Sequence, residues 1–235
     1  MITIRAVLVH NPGLTQISTA VNSPPNFPIF YGILDTGYVP VEQWRSKCLA
    51  LIRGGAGIVQ LRAKRETHSE RIKLLDTIIP LFKKRKSISL IINDHLDLAL
   101  KHPNLGLHVG QDDLSPKECR KWLGPNRVLG LSTHSITQAE AAMALGDTLS
   151  YFAVGPVFAT QTKPGYTPVG LELIRKVAAL NPSIPFYAIG GITRENIDQV
   201  RAAGAQRVVV VSDVLSAPDT AAAVTEIKKE LSLLT

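Results

Sequence analysis

The sequence predicts an α/β chain folded as a single (β/α)8 TIM barrel, preceded by a short N-terminal arm. Three observations carry this. From Ile29 onward, short β-rich apolar runs alternate with helical patterns about eight times, the count of such a barrel. The apolar runs are continuous rather than alternating, which suits parallel strands covered on both faces. Polar and charged residues gather where these runs stop, and barrels of this kind carry their chemistry on the loops that follow the strands.

The elements follow in order. A Pro/Asn-rich stretch, Asn22 to Pro28, ends an arm of residues 1–28, and the barrel occupies 29–235. Ile29 to Leu34 reads as a strand stopped at Asp35-Thr36-Gly37, with a helix over Val41 to Arg53. Gly57 to Leu61 leads to a helix from His68 to Lys86, and Ser89 to Ile92 to a short helix from His95. Leu105 to Val109 precedes a helix opened by Ser115-Pro116, where Ser caps and Pro takes the first helical position. Val128 to Leu131 leads to Thr137–Leu145, and Tyr151 to Val154 to Gly170–Leu180. Pro185 to Ile189 leads to Thr193–Ala203, and Arg207 to Val211 to Thr220–Leu233.

Composition restricts the function classes. A chain of 235 residues, 45% hydrophobic and 19% charged, has material for one core. No apolar run reaches membrane-spanning length, so no membrane partner is expected. Met1 to His10 lacks a cleavage-site pattern and reads as a strand or arm rather than a signal peptide. Cys48 and Cys119 lie far apart in helix-like segments, as buried thiols of a reducing cytoplasm do. A net charge of +7 favours anionic partners. The only basic cluster, Lys83-Lys84-Arg85-Lys86, falls where a helix should end and there complements its dipole, so nucleic acid is not expected. Phosphorylated small molecules fit a dispersed positive balance better. A homo-oligomer is compatible with all of this.

The strand ends hold the candidate site. Ile92-Asn93-Asp94 and Gln111-Asp112-Asp113 close consecutive strands, so Asp94 and Asp113 should face each other across one mouth. Mg²⁺ takes one or two carboxylates and fills its other positions with water and phosphate oxygens. The plainer reading of each acid is a helix cap. Arg62 and Lys64 alternate with Leu61 and Ala63, so both can point to one side. Gly190-Gly191-Ile192-Thr193 ends the seventh strand and opens a helix, and Val211-Ser212 follows the eighth; together they suit a phosphate cradle, although two glycines alone also make a turn. His134 is either a general base or a packed histidine that orients its neighbours, and His108 reads as a core residue. The insertion from Lys163 to Pro168 is a lid or a rigid crossover.

In order and spacing these motifs resemble the thiamine-phosphate synthase family. The residues that carry the resemblance are Val59 to Lys64, Ile92-Asn93-Asp94, His108 to Leu114, Leu131 to His134, Gly155 to Lys163, Ile189 to Ile192 and Val210-Val211-Ser212. The resemblance implies condensation of a hydroxymethylpyrimidine diphosphate with a hydroxyethylthiazole phosphate, giving thiamine phosphate and diphosphate. It implies Mg²⁺ on Asp94 and Asp113. It implies that Gln60, Arg62, Lys64, Asn93, Ser132 and Lys163 bind the pyrimidine diphosphate, with Arg62, Ser132 and Lys163 catalytic. Thr160, Thr162, Gly191, Val211 and Ser212 would bind the thiazole phosphate. Three residues depart from the family pattern: Ala63 replaces a Glu, His95 an Arg, and Asp213 a small residue. The rival readings are a thiazole tautomerase, with His134 moving a proton, and a non-catalytic barrel that senses phosphorylated metabolites.

Overall fold

The computed structural model describes residues 27–162, 165 and 167–232. Eight parallel strands close into a barrel in sequence order, β1 (Phe30–Asp35), β2 (Ile58–Arg62), β3 (Ser89–Asn93), β4 (Leu105–Val109), β5 (Leu129–Thr133), β6 (Tyr151–Val154), β7 (Phe186–Ile189) and β8 (Val208–Val210). Closure comes from β8 pairing with β1, Phe30 opposite Val208 and Gly32 opposite Val210. The helices between them are α1 (Trp44–Arg53), α2 (His68–Ile78), α3 (Leu96–Lys101), α4 (Pro116–Leu123), α5 (Ile136–Ala144), α6 (Gly170–Ala179) and α7 (Ile197–Ala202). After β8 come α8 (Ser212–Leu215) and α9 (Thr220–Ser232).

Local chemistry sets several of these boundaries. Thr67 and Glu70 form a reciprocal capping box at the start of α2, and the Ser115 side chain accepts from the Glu118 N–H ahead of Pro116 in α4. The helix expected to run from His68 to Lys86 stops at Ile78 and passes into a short tight turn at Ile79–Leu81. Pro80 lies there, and a proline can neither donate an N–H nor fit against the preceding turn of an α-helix. Lys83 to Lys86 therefore lie on an exposed turn rather than at an α-helix end. The helix after β7 begins at Ile197, not Thr193, because the Asn196 side chain accepts from the Thr193 N–H and donates to the Gly191 carbonyl, holding an open loop there.

Alternate strand residues point into the barrel. Its middle layer is unusually aromatic: Tyr31, Tyr151 and Tyr187 meet edge to face, with centroids 5.3–5.6 Å apart. His108 stacks on Tyr151 at 5.6 Å. His108, Gly130 and Tyr151 are consecutive partners across β4, β5 and β6. Gly130 has no side chain, so its two neighbours meet over it; a Cβ there would lie 2.2 Å from Tyr151 Cζ and 2.7 Å from His108 Nδ1. Below this layer Phe27 reaches within 6.1 Å of the Tyr151 ring, and the Tyr187 hydroxyl donates to the Pro28 carbonyl at 2.6 Å. Phe27 and Pro28, assigned from sequence to the arm, thus belong to the barrel floor; the rest of that arm lies outside the described residues.

Both cysteines are buried free thiols, and burial pushes the Cys48 thiol up to about 12. Among the described residues no helix is long and apolar enough to cross a membrane. The packing over Gly130 yields a stability prediction. Gly130→Ala should cost about 1–3 kcal/mol, the usual penalty for overpacking a close-packed interior. Thermal unfolding would show this as a lowered midpoint, and an unchanged midpoint would contradict the close approach.

Candidate active site

The carboxyl ends of the strands open on one pocket. It is lined from β2 by Gln60 and Arg62, from β3 by Asn93, from β5 by Ser132, and from the later loops by Thr160, Thr162, Gly191, Val211 and Ser212. Nine residues expected at the site from sequence thus share one cavity, with His108 and His134 in the same wall.

On the β2 side, Arg62 pairs with Asp35 at 2.5 Å, its partner in strand register. Asp35 is buried, and its other oxygen accepts from the Gly37 N–H at 2.7 Å, so the acid is held at both ends. Arg62 Nε is buried with no hydrogen-bond partner among the described residues. A buried donor of that kind is costly unless something accepts from it, and an anionic ligand in the pocket would. Asp35 is a site residue that the sequence reading passed over as a strand stop. Its signal was available: an acid closing β1, opposite a cation closing β2.

Lys64 behaves differently from Arg62. It stands at the rim, half exposed, and pairs with Asp94. The expected one-sided placement of Arg62 and Lys64 therefore resolves into a pocket wall and a rim. Asp94 adopts a left-handed backbone, φ 64°, with its N–H donating to the His108 carbonyl at 2.9 Å. Such a backbone is uncommon outside glycine, though Asp and Asn tolerate it best. Asp113 accepts from the Gly110 N–H at 2.7 Å. Neither acid caps a helix: α3 is entered through His95 and α4 is capped by Ser115. The plainer reading of both acids is thereby removed. No group of three or more metal-ligating His, Cys, Asp or Glu occurs among the described residues. Two hard oxygen donors on neighbouring loops still fit Mg²⁺, which is usually held by one or two carboxylates together with substrate phosphates.

Across the mouth, Gly190 and Gly191 take φ of 100° and 64°. A Cβ on Gly191 would lie 2.6 Å from the Ala159 carbonyl oxygen, so the β7 loop needs glycine to pass the β6 loop, apart from any phosphate. The expected helix N-terminus behind this loop is displaced, since α7 starts at Ile197. The adjacent helical turn is instead α8, which opens at Ser212 directly after β8 and was not anticipated. Thr162 is positioned by the Tyr38 hydroxyl at 3.1 Å, and its N–H donates to Thr160 Oγ1. His134 donates from Nδ1 to the Gly155 carbonyl at 2.5 Å, which ties β5 to the β6 loop. Lys163 lies outside the described residues.

The sequence profile of a family described as thiamine monophosphate synthase matches residues 30–214, nearly the whole barrel. The chain belongs to that family. It is 40% identical to the thiamine-phosphate synthase of Acidothermus cellulolyticus, over 78% of this chain and 85% of that protein. It is 42% identical to that of an Arthrobacter species, over 74% of this chain and 82% of that one. Among solved structures, a thiamine phosphate pyrophosphorylase from Pyrococcus furiosus superposes with a TM-score of 0.72 at 29% identity, covering 86% of this chain and 95% of that one.

The three departures from the thiamine-phosphate synthase pattern have structural counterparts. Beside Ala63, Arg62 and Lys64 are held by Asp35 and Asp94, while the Ala63 carbonyl accepts from Arg71. His95 enters α3, its pKa lowered by burial and then by the Arg71 charge. Asp213 accepts from Arg194 Nε at 2.9 Å, and Arg194 also reaches Glu226 at 3.3 Å. The negative charge beside the β7 and β8 loops is therefore compensated.

The Asp35–Arg62 pair generates a prediction. Asp35→Ala leaves a largely buried guanidinium without its partner, which should cost about 3 kcal/mol. Urea denaturation would measure it, and a loss below about 1 kcal/mol, the scale of an exposed pair, would show that the pair supports nothing.

Proposed function

We propose that this chain is a working thiamine-phosphate synthase that joins 4-amino-2-methyl-5-hydroxymethylpyrimidine diphosphate to hydroxyethylthiazole phosphate in the cytoplasm. The supporting observation is one pocket with Arg62 on one side and Gly191, Val211 and Ser212 on the other, over a polar floor of Gln60 and Ser132; the Lys64–Asp94 pair and Asp113 stand on the loops after β2, β3 and β4, outside the pocket lining. A substrate pair with a diphosphate on one partner and a phosphate on the other fills both sides.

The chemistry asks little covalent work of the protein. The bond between the pyrimidinylmethyl carbon and the diphosphate oxygen breaks, and its electron pair leaves with diphosphate. The resulting cation is delocalised into the aminopyrimidine ring. The thiazole nitrogen then gives its lone pair to that carbon and forms the C–N bond of thiamine phosphate. Catalysis here is stabilisation of leaving-group charge together with placement of the nucleophile. Arg62, anchored by Asp35, offers its remaining donors to the diphosphate without reorganising. Lys64 neutralises from the rim, and Lys163 is assigned the same task on the β6 loop. Asp94 and Asp113 would hold Mg²⁺, which when bound would neutralise diphosphate charge. Gln60, Asn93 and Ser132 orient the pyrimidine. Thr160, Thr162, Gly191, Val211 and Ser212 hold the thiazole phosphate so that its nitrogen faces the reacting carbon.

Two predictions test this. Asp94→Asn, which keeps a residue tolerant of the left-handed backbone, and Asp113→Asn should each lower Mg²⁺-dependent formation of thiamine phosphate by about a hundred- to a thousand-fold, the scale of a lost charge-stabilising contact. Near-full activity in either variant, assayed with both purified substrates, would remove that acid from the metal site. The second concerns acid–base chemistry. Ser132→Ala should lower the single-turnover rate by about a hundred-fold. His134→Ala should lower it less than about ten-fold, below the usual general-base contribution. If His134→Ala proved the more damaging, a proton-transfer reaction of the tautomerase kind would replace the one drawn here.

A further inference from the structure

A continuous chain of hydrogen bonds crosses the barrel beneath the pocket. Gln60 Nε2 donates to the Tyr31 hydroxyl at 2.6 Å. Tyr31 and Tyr151 share a hydrogen bond between hydroxyls at 3.0 Å. The Tyr151 hydroxyl lies 2.9 Å from His108 Nδ1, and His108 Nε2 lies 2.9 Å from Ser132 Oγ. All five residues are buried, and both ends of the chain, Gln60 and Ser132, line the pocket. Burial pushes the Tyr31 and Tyr151 phenols well above their ordinary range, so both links are neutral hydroxyls.

Each hydroxyl in such a chain has one hydrogen to donate, and the imidazole of a neutral histidine donates from one nitrogen only. The direction of the first link therefore sets all the others. Because Gln60 donates to Tyr31, Tyr31 donates to Tyr151, Tyr151 donates to Nδ1 of His108, and His108 donates from Nε2 to Ser132. Two polarities then emerge at the pocket. Gln60 presents its carbonyl oxygen as an acceptor, and Ser132 presents its hydroxyl hydrogen as a donor. The reverse direction requires the Gln60 amide to turn over and the His108 proton to sit on Nδ1, and it would invert both ends together.

We propose that Tyr31, Tyr151 and His108 are positioning residues that lock the hydrogen-bond polarity of the pocket floor, and so select a ring with an exocyclic amine donor beside a ring-nitrogen acceptor. The identity of that ring as an aminopyrimidine rests on the synthase reading; the polarity lock itself does not. A 4-oxo pyrimidine offers an acceptor and a ring N–H, the inverse pattern; the Ser132 hydroxyl can rotate to accept from the N–H, but the 4-oxo group meets the Gln60 carbonyl, which cannot turn over while its amide is committed to Tyr31. A site built to hydrogen-bond one pattern rejects the other strongly because its buried groups are left unpaired. Cutting the chain at Tyr151 removes the acceptor for the Tyr31 hydrogen. That hydrogen is then satisfied by the Gln60 carbonyl, so the amide turns over and the floor presents donors at both ends.

The test has two arms. In the first, ¹⁵N-histidine NMR of the wild-type protein reads the tautomer of His108, its signals located by their loss in His108→Gln. The Nε2–H form is expected, and the Nδ1–H form or an imidazolium at neutral pH overturns the proposal. In the second, calorimetry compares binding of the 4-amino and 4-oxo pyrimidine diphosphates. The wild type should favour the amino compound by at least about a hundred-fold. Tyr151→Phe should cut that ratio by about ten-fold or more, roughly the weight of one hydrogen bond. Tyr187→Phe is the control: it removes a neighbouring hydroxyl of the same aromatic layer that bonds to Pro28 instead of the chain. Its ratio should stay within about two-fold, since no link of the chain is lost. Full discrimination in Tyr151→Phe, or an equal loss in Tyr187→Phe, overturns the proposal. A wild type that makes no thiamine phosphate defeats the functional reading, while the tautomer still decides the lock; the tautomer also decides it if Tyr151→Phe fails to fold.

Discussion

Eight short strands closed on themselves send every second side chain into a space with little room and little water. That interior must be filled to the density of the rest of the protein, and each polar atom placed there must find a partner. In this chain the two demands are met together by a layer of tyrosines and one histidine. The Tyr151 and His108 rings occupy the volume left by Gly130, and the polar atoms of the layer are satisfied by one another, by Gln60 and Ser132 above, and by the Pro28 carbonyl below. The pocket stands on that layer. Gln60 and Ser132 are ordered because something rigid beneath them is ordered first.

The same dependence runs outward to the rim. Arg62 is fixed through Asp35, which is fixed in turn by the Gly37 N–H. Lys64 and Asp94 hold one another, and Asp113 is turned back onto Gly110. On the opposite side Asn196 braces the Gly191 loop, and Arg194 ties that loop to α8 through Asp213. Arg62 is therefore supported by a residue that does not line the pocket, while Lys64 and Asp94 support each other. Such support keeps a charged site aligned before the substrate arrives, which is where electrostatic catalysis gains its advantage over water.

Much of this was legible in the residues. The bounds of β4 and β6 and the Ser115-Pro116 entry to α4 follow from apolar runs and cap chemistry, which are local and strong. The gathering of Gln60, Arg62, Asn93, Ser132, Thr160, Gly191 and Ser212 in one pocket followed from the single rule that strand ends share a mouth. Other features lay beyond that kind of reading. A strand buried on both faces gives no alternation, so nothing marked Tyr31, Tyr151 and His108 as facing inward rather than toward helices. The early stop of α2 was written in Pro80 but outweighed by the apolar pattern around it. The late start of α7 depends on side-chain bonds from Asn196 to two backbone groups, which no propensity describes. Asp35 gained its meaning only from strand register, because its partner lies in the next strand.

Phe27 and Pro28 stand before the first strand and so look dispensable, as the linker side of a domain boundary usually is. Their contacts are of another kind. The Phe27 ring shields Tyr151 from below, its carbonyl accepts from Arg207, and the Pro28 carbonyl takes the Tyr187 hydroxyl. They act as a stopper in the end of the tube away from the substrates. The working length of this enzyme thus begins ahead of its first strand. A recombinant chain trimmed to Ile29 would admit water to the underside of the tyrosine layer, and the damage would be felt at the far end, in the grip on the ligand.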